Sequence, residues 1–238
     1  MKSIYFIFFS LLLIGIYSFS SAKKQEVDST QNNAALIEND TMKIDYGQHK
    51  ELLDILGLLP DDYGMQQFNW PQKERMAMVE FIKKENYWSD SIIRIEQITP
   101  QMIQLSKQNV QWTLAIYQFQ ENDYFLVTDE NYEGKEDVQT FNYIKEQFSP
   151  TKMVNYFEEY FDELHIIPED FCMEIVPDPS QRRHYDFTEK DLVKISLIDV
   201  KKDELSIAEL KGNTVQLKVN REKRSFDADS IYWSNPTQ

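Results

Sequence analysis

Scarcity is the first feature of this chain. It has one cysteine, Cys172, so an internal disulfide is excluded, and with it the disulfide-dense secreted scaffolds. Its six glycines never fall into a G-x-G-x-x-G or Walker pattern, so no phosphate-cradling loop can be read. Positive charge is also short: 25 Lys and Arg stand against 40 Asp and Glu, a formal net charge of -15. Such a surface repels phosphate backbones and anionic headgroups, which argues against nucleic acid as a partner. Cations and neutral ligands such as sugars remain compatible with it.

Apolar and aromatic residues are not scarce. Hydrophobic residues make up 42% and aromatics 13% of 238 residues, enough to bury a core. One long apolar run, Ile4 to Ile16, follows Lys2 and leads to small residues at Ser20 and Ala22. This three-part layout predicts a signal peptide over residues 1–22, cleaved near Ala22, and a secreted or periplasmic protein. The alternative is an uncleaved N-terminal membrane anchor. Residues 23–45 read as a flexible spacer and 46–238 as a single domain. The spacer holds one glycosylation sequon, Asn39-Asp40-Thr41.

Periodicity predicts an α+β fold: a helical N-terminal region, then a mostly antiparallel β-sheet with one strong amphipathic helix at about 150–164. Leu52, Ile55, Leu56 and Leu59 lie at helical spacing. Asn69-Trp70-Pro71 reads as a helix start, the helix running to about Asn86 with Met76, Val79, Phe81 and Ile82 inward. QMIQLSKQ fits a short helix or a strand. QWTLAIYQF, DYFLVTDE and VQTFNYI read as successive strands. Ser149 and Pro150 look like a helix start, and Met153, Tyr156, Phe157, Tyr160, Phe161 and Leu164 form one apolar stripe. LVKISLI alternates, ELSIAEL and TVQLKVN read as a hairpin around Lys211-Gly212-Asn213, and Ile231 and Trp233 close the sheet.

In layout, the run from QWTLAIYQFQENDYFLVTDE to VQTFNYI, behind a short helical region and a signal peptide, resembles uncharacterised envelope proteins of Bacteroides-type bacteria. The resemblance covers about residues 50–145 and implies no activity.

Few residues point to chemistry. DENYEGKEDVQT (129–140) has the rhythm of a calcium loop, with Asp129, Asn131, Glu133 and Asp137 at ligand positions and Gly134 at the turn. Thr140 stands where the bidentate Glu belongs, and the flanks read as strands; Glu158 or Asp162 are the substitutes within reach of the pattern. A simple strand connection explains the same residues. Ser149-Pro150-Thr151-Lys152 matches S-x-x-K, but the companion SDN and KTG triads are missing. His165, Cys172 and His184 have no recognised ligand spacing. Trp70, Trp88, Trp112 and Trp233 could stack on sugars or fill a core.

The sequence therefore leans away from catalysis. It points first to a non-catalytic binding or envelope accessory module, with a neutral glycan or a protein of the cell envelope as partner. Two others stay open: a secreted glycan-directed hydrolase using paired carboxylates, and a calcium-stabilised domain. No cofactor other than calcium is implied.

Overall fold

The structure, a computed structural model, describes residues 41–151, 156–164, 183–198 and 210–235, all in one compact unit, Glu38–Gln238. The signal peptide, nearly all of the spacer, Met153, Lys152, His165, Cys172 and most of ELSIAEL lie outside the described residues.

The core of the molecule is a six-stranded antiparallel meander. It runs β3 (Arg94–Ile98), β4 (Met102–Lys107), β5 (Val110–Gln120), β6 (Asp123–Tyr132), β7 (Lys135–Ile144) and β8 (Gln147–Pro150), each strand pairing with the next. Short turns with positive φ drive it: Asn122, Glu133 with Gly134, and Lys145 with Glu146 all take left-handed backbone, the twist that two-residue hairpins require.

Both faces of this sheet are covered. Trp112, Leu114 and Ile116 of β5 pack toward α1 (Lys50–Leu58) and α2 (Gln72–Glu85). Ala115, Tyr117 and Phe119, the alternate residues, pack toward a second sheet. That sheet is antiparallel, in the order β12 (Ser225–Tyr232), β11 (Thr214–Asn220), β10 (Leu192–Leu197), β9 (Arg183–Asp186). A third, two-stranded ribbon pairs β1 (Met42–Lys43) with β2 (Tyr87–Trp88).

The α+β expectation is corrected by this architecture. The protein is mostly antiparallel β, with 47% of the described residues in strand and 22% helical. Its N-terminal part is not a helical region: α1 and α2 are short and are bracketed by the β1–β2 ribbon. Nor does a helix begin at Ser149-Pro150. Both residues sit in β8, paired with Asn142 and Phe141, and the described residues Tyr156–Leu164 form a 3₁₀ helix. Phe157, Phe161 and Leu164 are its buried side chains, set against Phe125 and Phe226 of the facing sheets. The buried positions 157, 161 and 164 keep the 4-then-3 spacing that reads as an α-helical stripe, so the apolar pattern does not announce a 3₁₀ helix.

α2 differs in another detail. Met76 and Phe81 are 47% and 37% exposed, and the buried set is Arg75, Met78, Val79 and Ile82. Spacing 0, 3, 4, 7 is intact, but its first member is a buried guanidinium. Arg75 Nε donates to Leu56 O at 3.1 Å, its two terminal nitrogens donate to Trp70 O and Leu59 O, and it pairs with Asp61 at 3.1 Å. The loop between the helices is thereby tied down from inside. From the sheet side, Glu130 accepts from the Gln67 and Phe68 amides, at 2.9 and 2.6 Å. Trp112 Nε1 donates to Gly64 O at 2.5 Å, and Lys107 donates to Phe68 O at 2.8 Å.

Candidate functional site

DENYEGKED is a hairpin, with Glu133-Gly134 as the turn between β6 and β7. Its register pairs Asn131 with Glu136, Glu130 with Asp137, and Asp129 with Val138. Because strand side chains alternate, Asp129 and Asn131 lie on one face and Asp137 on the other, while Glu133 sits in the turn. The hairpin does not gather the four residues around one point. Among the described residues no group of three or more His, Cys, Asp and Glu is placed to hold a metal ion.

A different set does meet there. On the face turned to the second sheet, Asp129 and Glu136 are diagonal neighbours. His184 of β9 reaches the same point, with Nδ1 3.5 Å from Glu136 Oε1. Asp129 is buried, and among the described residues its Oδ1 has no hydrogen-bond partner; neither has Glu136 Oε2. Burial pushes the Asp129 carboxyl well above the usual carboxylate range, and the charges of Glu136 and Asp137 push it further. The hydrogen bond to Glu136 holds His184 above the ordinary imidazole value, against the opposing effect of burial. Sequence reasoning missed this constellation because it spread the acids along a loop. Glu-Gly read as a two-residue turn would have placed Glu136 beside Asp129; nothing local could have placed His184 there.

The second feature is a half-open groove of about 430 Å³ between the β1–β2 ribbon and β3, the edge strand of the large sheet. Met42, Trp88, Ile93 and Ile95 give it apolar walls, and Asp90, Arg94 and Glu96 a polar rim. Trp88 is half-buried. Its indole donates to Ile93 O at 3.2 Å and is met edge-on by Phe81, with centroids 5.9 Å apart. Asp90 Oδ1 accepts from the Ile92 and Ile93 amides at 2.6 and 2.8 Å, shaping the turn into β3. Glu96 Oε1 accepts from the Ser106 hydroxyl.

Trp70 and Trp112 are core residues, 3% and 0% exposed. Ser149 lies in a strand, not at a helix start.

No known protein family matches the chain, and no curated protein matches it. A solved structure of a domain of an uncharacterized protein from Porphyromonas gingivalis W83 is similar over 75% of this chain and 99% of that one. The identity is 12% and the TM-score 0.42.

Proposed function

We propose that this chain is an exported, non-catalytic binding module that seats a neutral glycan in the groove beside Trp88. The observation that carries this is the make-up of the groove: a half-buried indole wall beside hydrogen-bonding groups, in a volume of ligand size. A sugar ring stacks its C–H face on an indole and offers hydroxyls to carboxylates and a guanidinium. The acidic surface disfavours anionic ligands. Asp90 Oδ1 and Glu96 Oε1 each accept a hydrogen bond within the fold. Asp129, whose carboxyl burial pushes upward, lies elsewhere and does not line the groove. Export follows from the N-terminal apolar run and its small-residue end at Ala22.

Screening the purified protein against neutral oligosaccharides, followed by calorimetry on a hit, tests this. Trp88→Ala is expected to weaken binding about tenfold, the loss of one stacking contact, with an unchanged circular dichroism spectrum. A protein that binds no neutral glycan, or a Trp88→Ala variant that binds as well as wild type, would sink it. Mass spectrometry of the protein from its native host tests export separately, with Lys23 as the expected first residue.

A further inference from the structure

Two buried carboxyl oxygens with no partner, one on each strand of a hairpin, call for something between them. Asp129 Oδ1 and Glu136 Oε2 have no hydrogen bond among the described residues. A lone buried carboxylate is costly, and two side by side are costlier, so one of the pair is neutral or an ion sits with them.

The surroundings favour the proton. Across β5, Asp129 faces Thr113, which carries no charge. On β7 its neighbours are Glu136 and, through the sheet, Asp137, both acidic. On β9, Arg183 is committed to Glu158 of the 3₁₀ helix at 3.2 Å, with its guanidinium 4.3 Å from the Phe161 ring centre. Asp186 adds negative charge near His184 and pairs with Lys194 of β10 at 3.6 Å, where Lys194 also holds Glu189. Among the described residues His184 is the base paired with Glu136, and the groups present do not form a metal site.

We propose that Asp129 carries a proton beside Glu136 and that the two, with His184, form an acid-closing clasp that fastens the β6–β7 hairpin to the edge strand β9. In the closed state a proton on Asp129 relieves the repulsion with Glu136, whose remaining charge holds the imidazolium of His184. Loss of either proton as pH rises leaves a buried charge unpaired and loosens β9. Groups that bind a proton more tightly in the folded chain than in the unfolded one stabilise it fully below their unfolded values and lose that contribution as pH rises through the folded ones. Both Asp129 and His184 have this sign.

The test is thermal unfolding of the purified protein and of Asp129→Asn from pH 4 to 8, in chelator and in excess calcium. Asn keeps the shape and removes the ionisable proton. The expected result is a variant that melts about 2–4 °C above wild type at pH 8, the advantage vanishing toward pH 4, with calcium without effect. A difference that does not change with pH overturns the clasp. So does a calcium-induced rise that Asp129→Asn abolishes, which would make a cation the occupant of the pair. If Asp129→Asn fails to fold, infrared difference spectroscopy of the wild type decides: a protonated carboxyl band at neutral pH supports the proton on Asp129, and its absence overturns it.

Discussion

Arg224 grips Asp123 through two parallel hydrogen bonds, Nε to Oδ2 and Nη2 to Oδ1, each 2.6 Å, joining positions 101 residues apart. The pair ties the turn before β12 to the start of β6, and so fastens the two large sheets at one end. Asp123 is nearly buried, with 12% of its side chain exposed against 36% for Arg224. The guanidinium also lies 5.4 Å from the Phe119 ring centre. Lysine keeps the charge but not the fork. Arg224→Lys is therefore expected to cost about 1.5–3 kcal/mol, the worth of a hydrogen-bonded charged group, in urea unfolding followed by tryptophan fluorescence. A variant as stable as wild type would show that charge, not geometry, holds the pair.

Gly64 has no room for a side chain. Its φ is +63°, and a Cβ there would fall 2.0 Å from Thr128 Oγ1 and 2.8 Å from Thr128 Cβ. Gly64→Ala carries both the left-handed backbone cost and the clash, and is expected to destabilise by about 2–4 kcal/mol. Adding Thr128→Ala removes the hydroxyl but not the β-carbon, so it should restore part of the loss. Additive losses in this double-mutant cycle would place the clash elsewhere.

How legible these features were depends on where the information lay. Leu52, Ile55, Leu56 and Leu59 were readable because one short helix buries one stripe, and all four are at most 3% exposed. Three strands of the large sheet, β5, β6 and β7, were readable as strands, though not as doubly buried ones. In β5, Trp112 and Ala115 both reach 0% exposure on opposite faces, and only the later second sheet makes that so. α2 was misread because Arg75 occupies a core position: its partners are backbone carbonyls of a loop, which no pattern of side chains announces. His184 meets Glu136 across two sheets, a contact set by topology and silent in local sequence. QMIQLSKQ, ambiguous in isolation, became β4 through its pairing with β5.

Arg75 itself supports a sharp expectation. It is fully buried and satisfies the carbonyls of Leu56, Leu59 and Trp70 at the ends of the α1–α2 loop. Burial pulls its guanidinium below the ordinary arginine value while Asp61 pulls the other way. Arg75→Met would keep the bulk and orphan three acceptors, at a cost of about 3–5 kcal/mol. Glu130→Gln attacks the same loop from the sheet side, weakening the bonds to the Gln67 and Phe68 amides. Hydrogen exchange should quicken at those two amides first. Uniform quickening across the chain would mean that the loop is not a separate unit.

His184 and Asp186 stand two residues apart on β9 and bias stability in opposite directions with pH. His184 is raised by its hydrogen bond to Glu136, so its contribution is complete below the ordinary histidine value of 6.5 and fades as pH rises through the folded value. For Asp186, burial pushes upward, but the hydrogen bonds from Thr188 and the charge of Lys194 outweigh it and hold the carboxyl below the ordinary 3.8. Its contribution is complete above 3.8 and fades as pH falls through the folded value. His184→Gln should therefore cost most near pH 5.5 and least near pH 8.5. Asp186→Asn should cost as much at pH 8.5 as at pH 5.5, and converge with wild type only in strong acid. Both residues are partly exposed, so each effect should be about 0.5–1 kcal/mol. Chemical denaturation at a series of pH values reads both. Parallel curves for His184→Gln and wild type between pH 5.5 and 8.5 would remove His184 from the junction between the sheets.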